Sequence, residues 1–188
     1  MRRSLTRKIK QSTPRTRIAA GVLALALVFA QPTVGSWFLG LPLVLLGEAI
    51  RLWGAGYLVK TTNLIVSGPY AYIQHPLYLG TGFITPGLLI MGGAPWWLIL
   101  AAMAFYIGYY VRRKHRVESG RLSGIYGEQY DQYEALVPLL IPHKPPYRLP
   151  DTPEMSWDLH RVSQNSEDGT VYALVAVALY LLIRAVWF

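Results

Sequence analysis

A chain of 188 residues, 53% hydrophobic and with a formal charge of +8, has one-domain length, but its apolar residues are bunched in a way that a soluble core does not require. The absence of cysteine excludes disulfides, cysteine-based metal sites and a thiol nucleophile. The four histidines (75, 115, 143 and 160) fall at no metal-ligand spacing, and the chain carries no internal repeat, no phosphate-cradling glycine loop and no serine nucleophile elbow.

Long apolar runs occupy Arg17–Gly35, Trp37–Leu58, Pro76–Pro95, Trp96–Val111 and Val171–Phe188. Several approach the ~20 residues needed to span a bilayer's hydrocarbon core. The expected fold class is therefore all-α, a polytopic membrane bundle of about five transmembrane helices with a pocket on its cytosolic side. Of 18 Lys and Arg, seven lie in residues 1–17, eight between Arg112 and Arg161, and one at Lys60. The loops expected at 31–36 and 92–95 have none. By the positive-inside rule, the N-terminus, the 59–75 loop and the 112–170 region are cytoplasmic, and five spans put the C-terminus outside. The charge is thus a topology signal rather than a nucleic-acid footprint. The plasma membrane of a prokaryote is the expected location.

In chain order, residues 1–17 are a basic cytoplasmic arm suited to anionic lipid. The following "IAAGVLALALVFA" also fits the apolar region of a secretory leader. The long basic stretch before it and the four apolar runs after it favour a first membrane helix, cut short by Gln31-Pro32. The second helix, "WFLGLPLVLLGEAIRLWGAGYL", carries Glu48 and Arg51 about a turn apart on one face. Ionisable groups at such depth face the bundle interior, paired or lining a cavity, either as a structural tie to neighbouring helices or in a functional role.

The third helix, "PLYLGTGFITPGLLIMGG", has the small residues that let membrane helices pack closely, and Pro86 to kink it. Gly92-Gly93-Ala94-Pro95 turns it back into the fourth helix as an antiparallel hairpin. Folded about residue 93 or 94, the hairpin brings His75 near the segment after Val111, with Glu118 about 9 Å further out at 1.5 Å per residue. Then "GEQYDQYEALV" reads as an interfacial amphipathic helix. A core over 18–142 is followed by a Pro-rich polar cytoplasmic linker, 143–169, and a last transmembrane helix, 170–188.

Within "GPYAYIQHPLYLG", Pro76 suits a first helical turn, so the helix starts there with its amides and positive dipole end toward the cytoplasm, ready for a carboxylate or phosphate. His75 adds a donor or acceptor, Tyr70 and Tyr78 add aromatic faces and hydroxyls, and Gly80 leaves room a turn deeper. Aromatic faces also suit a cation, and Glu118 can accept from hydroxyls or an ammonium. S-adenosylmethionine offers the matching carboxylate, ammonium, sugar diol and positive centre. Taken singly, each residue is also ordinary: His-Pro begins many helices, and tyrosines line membrane interfaces.

"NLIVSGPYAYIQHPLYLG", followed about forty residues later by "ESGRLSGIYGEQYDQYEALVPLLIP", resembles the integral membrane methyltransferases related to isoprenylcysteine carboxyl methyltransferase and the phospholipid N-methyltransferases. Their pattern runs L-V-x-x-G-x-Y, R-H-P-x-Y-x-G, a hydrophobic hairpin, then E-E-x-x-L-x-x-x-F-G-x-x-Y-x-x-Y and V-P. The likeness extends from Leu46 to Pro142. It implies a helical membrane fold holding S-adenosylmethionine on the cytosolic side, with a lipophilic substrate arriving from the membrane lipids. By position, the cofactor cradle falls on Thr62, Asn63, Leu64, Ile65, Tyr70, His75, Pro76, Leu77, Tyr78 and Glu118. The family's substrate-side arginine falls on Lys114, flanked by Arg113 and Arg116; lysine supplies charge without the bidentate fork. Gln74 stands where the family has arginine, and Ser119 replaces the second acidic residue, so Gln74 and Lys114 set the substrate side apart. No residue is an evident general base. The alternatives are an NADPH-dependent reductase related to membrane sterol reductases, with Arg112–Arg116 taking the extra phosphate, and a non-catalytic membrane scaffold.

Overall fold

The computed structural model describes residues 29–59, 64–149 and 155–187. The chain divides into two units, Met1–Ala30 and Gln31–Phe188, and the architecture below is that of the second. The basic arm and most of the first apolar run lie outside the described residues. All regular structure among the described residues is helical.

Helix α1 spans Val34–Tyr57, close to the apolar run that predicts it. Its start is set by a capping box: the Thr33 hydroxyl accepts from the Ser36 amide at 3.0 Å, while the Thr33 amide donates to Ser36 Oγ at 2.9 Å. Helix α2, Pro76–Met91, runs unbroken through Pro86 and packs antiparallel on α1. The two backbones meet at glycines. A Cβ on Gly47 would lie 2.5 Å from the Gly80 carbonyl oxygen, and one on Gly87 only 3.0 Å from that of Gly40. Gly40, Gly47 and Gly54 recur every seven residues, so one stripe of α1 is open to the neighbouring backbone, the small-residue packing of membrane helices.

The outward face completes this inversion. Phe38, Leu39, Leu45 and Leu46 are exposed on α1 while Gly40, Gly47 and Gly54 are buried. Such a distribution suits a lipid solvent, in which large apolar side chains cost nothing on the outside and association depends on close packing.

The turn after α2 closes as expected. Gly93 adopts φ +73° against the Gln31 backbone, a conformation and an approach that a side chain would obstruct. Helix α3, Trp96–Phe105, follows. It does not stop at the end of its apolar run: Tyr106–Val111 is π-helical and leads directly into α4, Arg112–Tyr126. Gly127, at φ +56°, then turns the chain into α5, Glu128–Leu136. The sequence pattern predicts α5 as an interfacial helix; its Tyr130 and Tyr133 are instead buried against Val66 and Val137.

Leu159–Gln164 forms a short helix, α6, within the polar stretch, and α7 runs Glu167–Trp187, starting before the apolar run does. Together they close the bundle on α1. Asn165 Nδ2 donates to the Ala55 and Leu58 carbonyls at 3.1 and 2.8 Å, satisfying the otherwise unpaired end of α1. Trp37 Nε1 donates to the Ala178 carbonyl at 2.9 Å. The deep Arg51 has a stronger partner than Glu48, its near neighbour at 3.7 Å: it grips Glu167 of α7 with Nε and Nη2, the shortest contact 2.7 Å, and donates from Nη1 to Thr81 of α2 at 2.7 Å. The charges expected to tie helices together therefore tie three of them. Helices α1 and α7 are long and apolar enough to cross a membrane, and α2 is a shorter apolar helix.

Candidate functional site

Two cavities lie near the α2 start. The smaller, about 370 Å³, is walled by Trp53, Tyr57, Tyr72 and Tyr147, and its lining holds neither carboxylate nor imidazole. The larger, about 600 Å³, takes its walls from the end of α1 (Leu58, Val59), Leu64 and Ile65, the 3-10 turn Gly68–Ala71 (Tyr70), the α2 start (Gln74, His75, Pro76, Leu77, Tyr78) and α4 (Glu118, Arg121, Leu122, Ile125). That size suits a drug- or cofactor-sized molecule.

Leu64, Ile65, Tyr70, His75, Pro76, Leu77, Tyr78 and Glu118 thus share one cavity, as the resemblance implies. Thr62 and Asn63 lie outside the described residues. Lys114, one turn before Glu118, is exposed and outside the cavity lining; the arginine in that lining is Arg121, a turn after Glu118. Nothing in the sequence singled out Arg121, because its spacing from Glu118 gains meaning only once α4 is known to be a continuous helix. The room expected beside Gly80 is filled by α1: a Cβ there would meet the Gly47 carbonyl and Arg51 Cγ, both at 2.5 Å.

His75 and Glu118 meet more closely than hairpin geometry predicts. His75 Nδ1 lies 3.7 Å from Glu118 Oε2, and Tyr78 Oη donates to Glu118 Oε1 at 2.6 Å. The reason is side-chain direction: Cα–Cβ bonds tilt toward the helix N-terminus, which on α4 points Glu118 back toward α2. The His75 ring stacks on Tyr78, centroids 4.8 Å apart, and the α2 N-terminus has no side-chain cap. On its other side, His75 Nε2 lies 3.2 Å from His115 Nδ1. His115 Nε2 is 3.5 Å from Glu134 Oε1 on α5, which also accepts from the Ser119 hydroxyl at 2.5 Å. Ser119, which stands where the family has its second acidic residue, thus binds a carboxylate.

Gln74 has a structural task. Its Nε2 donates to the Glu134 and Val137 carbonyls at 3.0 and 2.7 Å, clasping the end of α5, while Oε1 is buried without a hydrogen-bond partner. The Tyr133 hydroxyl completes the clasp, donating to the Tyr70 carbonyl at 2.8 Å. Burial pushes the Tyr70 and Tyr133 hydroxyls up, so both stay protonated.

Burial, and next the positive charge His115 can carry, push His75 down to about 4, with Glu134 opposing. His75 is therefore neutral at pH 7. Between about pH 6.5 and 4 the unfolded chain binds a proton at His75 that the folded chain refuses, so stability is full above 6.5 and falls as pH drops through that window, by roughly 3 kcal/mol. Unfolding of the wild type and of His75→Asn across pH 4–7 checks this. The variant should show the shallower slope; equal slopes would refute it.

The family model for phospholipid methyltransferases matches residues 16–129, a stretch that carries α1 to α4 together with His75, His115 and Glu118. No curated protein and no solved structure matches the chain.

Proposed function

Because the chain belongs to the phospholipid methyltransferase family, we propose that it transfers the methyl group of S-adenosylmethionine to a lipophilic, membrane-embedded acceptor, a lipid amine or a carboxylate. The reading places about five spans in the membrane, the N-terminus in the cytoplasm and the cavity at the cytosolic side. The observation that carries it is the shared cavity, which puts an uncapped helix start, Glu118 and aromatic rings around one space.

The residues fit the cofactor. The α2 N-terminus suits its carboxylate. Glu118 suits its ammonium or ribose hydroxyls. Gln74 Oε1, buried without a partner, would gain an N–H donor, and the Tyr78 face suits a positive centre. When bound, the cofactor supplies an electrophilic sulfonium methyl. The chain's part is to hold donor and acceptor in line and to keep water out; positioning of this kind lowers a displacement barrier substantially. Arg112, Arg113, Lys114 and Arg116, which the nicotinamide reading would use for the extra phosphate, are exposed and outside the cavity lining.

Calorimetry on the detergent-purified protein with S-adenosylmethionine, its demethylated product and NADPH provides the test. Both methionine cofactors should bind, and His75→Ala or Glu118→Ala should weaken binding about 10- to 100-fold, the loss of one hydrogen bond involving a charged group. Absence of binding by either methionine cofactor would sink the reading, and unchanged affinity in both variants would move the site elsewhere.

A further inference from the structure

Just past the apolar end of α3 and its π-helical extension, the first turn of α4 carries four cations: Arg112, Arg113, Lys114 and Arg116. All four are exposed, and among the described residues none meets a carboxylate within ion-pair distance. From Arg112 to Arg116 the helix rises about 6 Å, no more than the ~5–7 Å depth of one headgroup layer. The turn before them marks the same level independently. Tyr109 and Tyr110 are exposed there, 51% and 39%, as amphipathic rings are where hydrocarbon meets headgroups. Arg113 Nη1 donates to the Tyr109 hydroxyl at 2.8 Å. We propose that this cationic collar binds anionic phospholipids, which hold α4, and with it Glu118, at a fixed depth.

The inference rests on the placement of α3 in the membrane and not on methyl transfer. Direction separates a lipid-binding surface from a bare topology signal. At about 100° per residue, Arg112, Arg116, Arg113 and Lys114 fan across roughly 200° of the helix. The remaining sector holds His115, Glu118 and Ser119, which face the bundle and meet His75, Tyr78 and Glu134. The cations thus take the azimuths that protein leaves open. Helix α4 also has little other anchorage, since none of its 15 residues is buried. A lipid phosphodiester with an uncharged headgroup brings a net negative charge to such a collar. Near a membrane surface each cation then adds about fivefold in affinity, and the three arginines can grip phosphate with two prongs. A zwitterionic headgroup brings an ammonium that the same collar repels.

The full chain in nanodiscs of equal parts phosphatidylglycerol and phosphatidylcholine provides the test. Lipid retained after transfer to detergent, identified by native mass spectrometry, should be enriched in phosphatidylglycerol about tenfold or more. Arg112→Gln, Arg113→Gln, Lys114→Gln and Arg116→Gln combined should abolish most of that enrichment. A charge-matched variant of the basic arm, Arg2→Gln, Arg3→Gln, Arg7→Gln and Lys8→Gln combined, should keep most of it. No enrichment in wild type, or equal loss in the two variants, would overturn the collar, the second outcome by making net charge the attraction. Should the α4 variant fail to fold, wild type alone decides. Its α4 amides should exchange with solvent about tenfold more slowly in the mixed discs than in pure phosphatidylcholine, while α1 amides exchange alike. The difference should shrink between about 50 and 500 mM salt. Equal α4 exchange in the two lipids would overturn the proposal. Every readout is taken without cofactor, so the collar stands or falls apart from methyl transfer.

Discussion

Replacing Arg51 with methionine is expected to destabilise the fold by about 3–5 kcal/mol, the usual cost of removing one partner from a buried ion pair. The guanidinium is held on both edges, by Glu167 through Nε and Nη2 and by Thr81 through Nη1. Its methylene stem also lies over Gly80, where a Cβ would strike Arg51 Cγ. Without it, Glu48 and Glu167 remain buried as two carboxylates with no counter-charge, and both Glu48 oxygens already lack a hydrogen-bond partner. Methionine keeps the stem and removes the charge, so the change isolates the electrostatics. The unfolding midpoint in detergent or nanodiscs should fall by roughly 10 °C. Arg51→Lys should recover part of that, since a point charge cannot reproduce a two-pronged grip. Arg51→Met combined with Glu167→Gln should be less damaged than Arg51→Met alone. A midpoint within a degree or two of wild type in Arg51→Met would mean that the cluster holds nothing together.

Gly47→Leu should be nearly as severe, at about 3 kcal/mol or more. Overpacking a well-filled core costs about 1–3 kcal/mol where side chains can adjust. At Gly47 the obstruction is backbone: the Gly80 carbonyl at 2.5 Å and the Ile84 amide at 2.9 Å. Relief requires α1 and α2 to separate along the seam that positions His75. The same change at Gly35, near the α1 start, meets only the Thr33 hydroxyl at 3.9 Å and should be nearly silent. Size-exclusion profiles and thermal midpoints of the two variants provide the comparison. Equal behaviour would refute the close-packed seam.

Local features of the sequence carried over well. Apolar run length sets α1, the proline after His75 sets the start of α2, and Gly92 to Pro95 sets the hairpin. Beyond the approach of His75 to Glu118 that the hairpin implies, contacts between distant segments were not legible. Glu48 looked like the partner of Arg51 because it lies one turn away, whereas Glu167 is 116 residues further along. His115 stands in the sequence only as a histidine without metal-ligand spacing and Glu134 only as part of the amphipathic pattern, and the return of α5 across α4 brings the two together. Gln74 stands where the family carries arginine, and only the folded chain shows that its amide clasps α5. The seven-residue glycine spacing in α1 was legible in principle, since a period of seven keeps one helical face.

The π-helical stretch Tyr106–Val111 sets the phase of everything beyond it. A π-bulge accommodates one extra residue, and one residue is about 100° of rotation on a helix of 3.6 residues per turn. Run as plain α-helix, α3 and α4 would present a different azimuth to α2, and His115 and Glu118 would be swung away from His75 together. The two halves of the site are therefore aligned like gears on one shaft, with the offset machined into a segment that is itself tied to the site, where Tyr106 Oη donates to the Tyr78 carbonyl at 2.8 Å. Evolution of this chain can retune the site by substitution on α4, but gaining or losing a single residue within Tyr106–Val111 would disengage it.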